Sequence, residues 1–230
     1  MSGEKDQMTT SPPEKLQGFE WWRRSLQYRT GLGLSAQEAK QFEHDWLATK
    51  KPLSNNAAEE YRDWVLRYSP TVRFMMDHIR KLGFDISSKH IVCEPCGDNL
   101  KSGGFHESEG ILLCSDQIRD KWHLEDTLAH ELVHMYDYIK FDVNLKNLKH
   151  HACTEIRASM LSGECRVMNE IQKTGLSNFG EKFQSCIKRR AVLSVTANPY
   201  CANKEEAEKV VNSVWQSCFN DTRPFERVYR

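Results

Sequence analysis

Residues 127–141, TLAHELVHMYDYIKF, decide how this chain is read. His130 and His134 stand four apart, so on a helix of 3.6 residues per turn both imidazoles lie on one face and can point at one metal ion. Glu131 follows the first histidine about 100° round the helix, where its carboxylate reaches a metal-held water without occupying the metal. With the His and Glu content of this chain, a random sequence shows this HExxH pattern roughly 0.03 times. Leu128, Leu132, Val133, Met135 and Tyr136 place apolar groups on more than one side of the same turns, which predicts a largely buried helix. Two histidines and a glutamate in such a helix are costly unless something satisfies them. One Zn2+ per chain satisfies them better than a hydrogen-bonded core pair does.

Catalytic zinc takes a third protein ligand and leaves one position open. Glu155, 21 residues beyond His134 on the next helix, is the first choice. Ala152, Ala158, Ser159 and Ser162 are small and let that helix approach the motif helix. His150 and His151 are rivals, each within about a turn and a half of Glu155. Asp137 is placed to orient a ligand imidazole through a hydrogen bond, with an ordinary exposed helix aspartate as the plain alternative.

Working outward towards the amino terminus, three short β-branched or apolar runs read as strands: KHIVCE around Ile91, SGGFH around Phe105 and GILLCS over residues 110–115. The ESEG between the last two fits a hairpin turn. GILLC is the expected edge strand beside the metal, where an extended substrate can pair. Earlier helices are marked by Ser35 with Glu38, by a run over 56–68, and by Ser69 and Pro70 opening a helix that stops at Gly83. The motif helix is expected over 118–141, a continuous helix over 144–172, and two more over 180–195 and 203–219. The fold class is α+β and zincin-like: a short mixed sheet with an edge strand beside an HExxH helix, mostly helical overall.

Residues 1–17 read as a disordered tail, and 18–230 as a single zinc metallopeptidase domain with an N-terminal helical segment and C-terminal helices. The tail has neither the apolar core of a secretory signal nor an Arg-rich matrix-targeting pattern, so the Asn220 triplet NDT is expected to stay unglycosylated. Phe19, Trp21 and Trp22 beside Arg23 and Arg24 suit either a membrane interface or docking on the core, and docking is the favoured reading. Lys+Arg and Asp+Glu both number 32, giving zero formal charge. That balance removes the general attraction a nucleic acid needs, so no nucleic-acid partner is expected. No run approaches the roughly 20 apolar residues that span a bilayer.

Eight cysteines, Cys93, Cys96, Cys114, Cys153, Cys165, Cys186, Cys201 and Cys218, are all disulfide candidates, with buried thiols as the plain alternative. Cys93, Cys96, His106 and Cys114 also have a loose second-zinc spacing, but a disulfide role is preferred.

Four stretches, GGFHESEGILLCSDQI, AHELVHMYD, HHACTEIRASMLSGEC and SCFNDTRPF, together resemble the mitochondrial inner-membrane metalloproteases of the ATP synthase assembly pathway. The resemblance runs from Cys93 to Phe225. It implies a zinc endopeptidase, peripherally associated with the inner membrane on its intermembrane-space side. Its partner would be the precursor of a hydrophobic, mitochondrially encoded ATP synthase membrane subunit, which it trims and helps to assemble. The resemblance carries zinc to His130 and His134 and the general-base role to Glu131. It also explains eight cysteines without a secretory signal, because the intermembrane space has its own oxidative import route. The alternative is an assembly chaperone whose zinc site is mainly structural.

Overall fold

Ser69 ends one helix and begins the next. Its hydroxyl accepts the Val72 N–H at 3.2 Å and donates to the Glu125 carboxylate at 2.6 Å, while Pro70 fills the first helical position with its fixed φ. The computed structural model describes residues 18–30, 33–49, 53–97, 101–165 and 179–226. Helices α1 (Gly18–Thr30), α2 (Ala36–Thr49), α3 (Asn55–Tyr68) and α4 (Pro70–Lys81) precede the sheet. The Ser35–Glu38 pair caps α2, as the sequence predicts, and Ser54 caps α3. The expected tail over 1–17 lies outside the described residues.

Strands β1 (Ile91–Glu94), β2 (Gly103–His106) and β3 (Gly110–Cys114) form one mixed sheet in the order β1-β3-β2. β1 runs parallel to β3 with Ile91 opposite Ile111, and β2 returns antiparallel in a hairpin that sets His106 opposite Gly110. Alternation decides the register: Ile111 and Leu113 are buried and Leu112 is exposed. Gly110 closes the hairpin at φ +95°, with the His90 carbonyl oxygen where a Cβ would go, so only glycine fits. GILLC is therefore the centre of the sheet, correcting its reading as the edge. Apolar on both sides of its backbone ladder, β3 is the strand with two partners, and the shorter, glycine-bearing β2 takes the outside.

Helix α5 (Lys121–Lys140), capped by the Asp120 side chain on the His123 N–H, packs against β2, β3, α3, α4 and then α6 (Leu148–Leu161). Its twelve buried residues run from Leu124 to Asp137 and include both motif histidines' neighbours Leu128, Leu132 and Val133. Ala152, Ala158 and Ser159 of α6 and Ser162 at its C-cap have no exposed surface, which brings α6 close to α5 on one side and to α7 (Phe179–Thr196) and α8 (Lys204–Asn220) on the other. The helix expected to continue to 172 instead stops at Leu161, because Gly163 turns the chain at φ 101°. Residues 166–172 of that expectation lie outside the described residues.

Arg157 of α6 is among the largest fully buried side chains. Its guanidinium binds the Asp137 carboxylate at 2.9–3.1 Å and donates at 2.6 Å to the carbonyls of Asp221 and Arg223. One buried cation thus joins α5, α6 and the segment after α8.

Disulfides Cys96–Cys114, Cys153–Cys218 and Cys165–Cys186 close the sheet loop, α6 onto α8, and the turn after α6 onto α7. Cys93 and Cys201 form none, correcting their place among the candidates. Cys93 points into the core from β1, and the Cys201 thiol turns to the Asn203 carbonyl. The second-zinc alternative falls with them, since Cys96 and Cys114 are consumed by a disulfide and His106 is exposed. The aromatics of α1 are also not docked on the core: Phe19, Trp21 and Trp22 stay exposed, while Tyr28, two turns beyond Trp21, packs on Ala39 and Phe42 of α2. No helix among the described residues is long and apolar enough to cross a membrane.

Candidate active site

Helix α5 lays His130, Glu131 and His134 along a buried face, and α6 crosses it with Thr154 and Glu155. The Nε2 atoms of His130 and His134 are 3.0 Å apart. Glu155 brings one oxygen to 3.7 Å from His130 Nε2 and the other to 3.5 Å from His134 Nε2. One ligand atom from each of the three residues falls within a 4.8 Å group, the geometry a metal ion needs.

The partners of the remaining ring nitrogens decide what these atoms offer. Asp137 accepts the Thr154 hydroxyl at 2.9 Å, so that the Thr154 oxygen in turn accepts His134 Nδ1–H at 2.9 Å. His134 Nε2 is then left with a lone pair. His130 Nδ1 lies 3.2 Å from a Glu164 oxygen, and Arg190 engages the other oxygen of that carboxylate. A proton on His130 Nδ1 leaves Nε2 with a lone pair too. Two imidazole lone pairs and a carboxylate therefore converge on one buried point, a donor set that fits a cation and repels itself without one.

The titration of these groups shows how strongly the cluster draws positive charge. Burial opposes charge on His130, but the Glu164 and Glu155 carboxylates outweigh it and hold its pKa well above the ordinary imidazole value. Burial pushes His134 down to about 4, keeping it neutral. Burial also opposes a charged Glu155, yet His134, His130 and His151 hold its carboxyl well below the usual range. Glu131 moves the other way: burial, helped by Glu155 and Glu164 and opposed by His130, raises it to about 7. The cluster thus draws positive charge onto His130, where a proton takes the Nε2 lone pair that a cation would otherwise use, and leaves Glu131 able to exchange a proton near neutrality.

All these groups line a cleft of about 620 Å³ between β2, α5, α6 and α7. Among the rivals of Glu155, His151 is close but supports it: Asn198 donates to His151 Nδ1 at 2.8 Å, which leaves the other nitrogen 3.4 Å from Glu155. His150 is exposed and accepts the Asn144 N–H at 3.2 Å, away from the cluster. Asp137 is buried and touches no imidazole; it reaches His134 through Thr154.

The model of a family described as "Peptidase M76 family" matches residues 56–226, most of the chain and every residue of this site. The chain belongs to the peptidase M76 family. Proteins named "Mitochondrial inner membrane protease ATP23" are similar over nearly their whole lengths. The one from Debaryomyces hansenii is 68% identical over 98% of this chain and 95% of its own, that from Scheffersomyces stipitis 67% identical over 98% and 95%, and that from Candida albicans 62% identical over 97% and 95%. No solved structure matches. This M76 member is a metallopeptidase, and its α+β fold is mostly helical with a small three-stranded sheet.

Three residues of the M76 site escaped the sequence reading. Thr154 and Arg190 lie in helices where a hydroxyl or a cation is unremarkable. Glu164 was hidden by the helix expected to run through it, and the Gly163 beside it was the available signal of a turn.

Proposed function

We propose that this M76 peptidase is a zinc metalloendopeptidase of the mitochondrial intermembrane space, peripheral to the inner membrane. Its substrate would be the precursor of a mitochondrially encoded ATP synthase proton-channel subunit, which it processes and helps to assemble. The observation that carries the reading is the convergence of His130 Nε2, His134 Nε2 and Glu155 beside a Glu131 whose pKa is lifted to about 7. His130, His134 and Glu155 would hold the ion. Zinc bound there supplies Lewis acidity, polarising a carbonyl and lowering the pKa of a water towards about 7. Glu131 takes a proton from the attacking water at its carboxylate and delivers it to the leaving amine. Glu164 and the Thr154–Asp137 pair keep each imidazole turned with its lone pair inward. β2 offers its outer edge to an extended peptide.

The compartment is supported by three disulfides, which persist where the surroundings are oxidising. The name borne by the relatives supports the membrane. The identity of the substrate subunit rests on the resemblance set out above. The test is metal content together with cleavage of the subunit precursor. The parent should hold one zinc per chain, His134→Ala should hold none, and Glu131→Gln should keep zinc while losing cleavage. Full cleavage by Glu131→Gln removes Glu131 from the chemistry and the proposal with it.

A further inference from the structure

The cleft differs in chemistry from one end to the other, and α5 measures the difference. Towards its N-terminal end the lining is polar: His123 lies 3.2 Å from the Ser102 hydroxyl, and Glu164 is paired with Arg190. Towards its C-terminal end apolar side chains gather beside Ser194, Asn198 and His151. The Tyr138 ring stands 5.8 Å from that of Phe105, and Leu145, Leu193 and Ala197 complete the wall. Asn198 holds this end together, donating at 3.0 Å to the Leu145 carbonyl and at 2.8 Å to His151. Tyr138, Leu145 and Leu193 are 39%, 53% and 61% exposed. Single exposed apolar side chains are ordinary, but three lining one end of a cleft form a surface that apolar groups can cover.

β2 gives this asymmetry a direction. Gly103 lies against Thr127, where an added Cβ would stand 2.8 Å from the threonine methyl, and Phe105 lies against Tyr138. The strand therefore runs from the polar end to the apolar end. β2 is also the outer strand, and among the described residues no strand pairs with its other side. A peptide joining that edge in the antiparallel sense, the more stable pairing per residue, runs the opposite way. Its N-terminal part then lies along Phe105, Tyr138, Leu145 and Leu193, and its C-terminal part along Ser102, His123 and Arg190, with the three ligand residues between.

We propose that the site selects an extended segment that is apolar before the scissile bond and polar or charged after it. The proposal rests on the peptidase reading given above and adds the order of the subsites. The test uses two dye-labelled decapeptides of identical composition, one with its apolar residues first and one with them last. Both are titrated against zinc-loaded Glu131→Gln protein, and both are incubated with the zinc-loaded parent, the products being identified by mass. The apolar-first peptide is expected to bind at least about tenfold tighter and to be cut where apolar residues give way to polar ones. Leu193→Glu should abolish that preference, and a lysine among the apolar residues should restore binding to the variant. Equal binding, or tighter binding of the apolar-last peptide, while the parent still cleaves, overturns the subsite order and leaves the peptidase reading standing. Cleavage of neither peptide by the zinc-loaded parent overturns the peptidase reading, and the order falls with it.

Discussion

His134 and Asp137 share one turn of α5 and never touch, yet the Thr154 hydroxyl joins them, accepting from His134 Nδ1 at 2.9 Å and donating to Asp137 at 2.9 Å. A hydroxyl can do both at once because it carries one donor and two acceptor positions. Thr154→Val removes the relay at nearly constant volume. Metal affinity is then expected to fall roughly 10–100-fold, read by competition with a chromophoric chelator. Thr154→Ser, which keeps the hydroxyl, should bind metal like the parent.

Arg157 and Asp137 form a buried pair, and removing one member strands the other. Arg157→Ala is expected to destabilise the fold by about 3–5 kcal/mol in urea unfolding, since Asp137 loses its counter-charge and two carbonyls lose a donor. Replacing both, with Asp137→Leu and Arg157→Met, should recover part of that loss. If the double variant is no more stable than Arg157→Ala, the stranded charge is not the source of the cost.

His123 predicts a pH dependence of stability. Burial, reinforced by the nearby Arg119 charge, lowers its pKa to about 4, and the Arg119 N–H occupies Nδ1 at 3.2 Å. An unfolded chain returns it to about 6.5, so between about 6.5 and about 4 the unfolded state binds more protons than the folded one. The stability contributed by neutral His123 is whole above about 6.5 and is lost as pH falls towards 4. Urea midpoints of metal-free parent and His123→Gln, followed from pH 7 to pH 4, should diverge by this amount, with the parent falling more steeply.

The three disulfides are expected to differ in weight. Cys153–Cys218 closes 65 residues and Cys96–Cys114 only 18. On loop entropy alone the first contributes about 4 kcal/mol and the second about 3 kcal/mol. Paired Cys→Ala variants, unfolded in urea, should rank in that order. The reverse ranking would mean that Cys96–Cys114 acts on the folded sheet rather than on the unfolded chain.

Much of this was legible because local rules act alone in the elements concerned. Ser69–Pro70, the Ser35–Glu38 box, the hairpin at Gly110 and the buried HExxH turn each announce themselves within a few residues. The small residues of α6, which are visible in the sequence, let Glu155 come close to His130 and His134. What stayed hidden depends on which element lies beside which. Strand alternation says that GILLC is a strand but not that it is central, and pairing order follows from the chain's path. The helical pattern of residues 144–172 concealed the stop at Gly163, and with it the carboxylate of Glu164 that faces His130. Cys93 and Cys201 look like the other six cysteines in sequence, and only their directions separate them.

The grip of Arg157 on the carbonyls of Asp221 and Arg223 also has a meaning in time. A chain made or imported amino end first presents HELVH long before residues 221–223 arrive. Until then Arg157 lacks two of its acceptors, and the Asp137–Thr154–His134 line hangs on a cation without its full anchorage. The segment after α8 is thus the keystone of the arch, the last piece of chain to be set against the helix that carries HELVH.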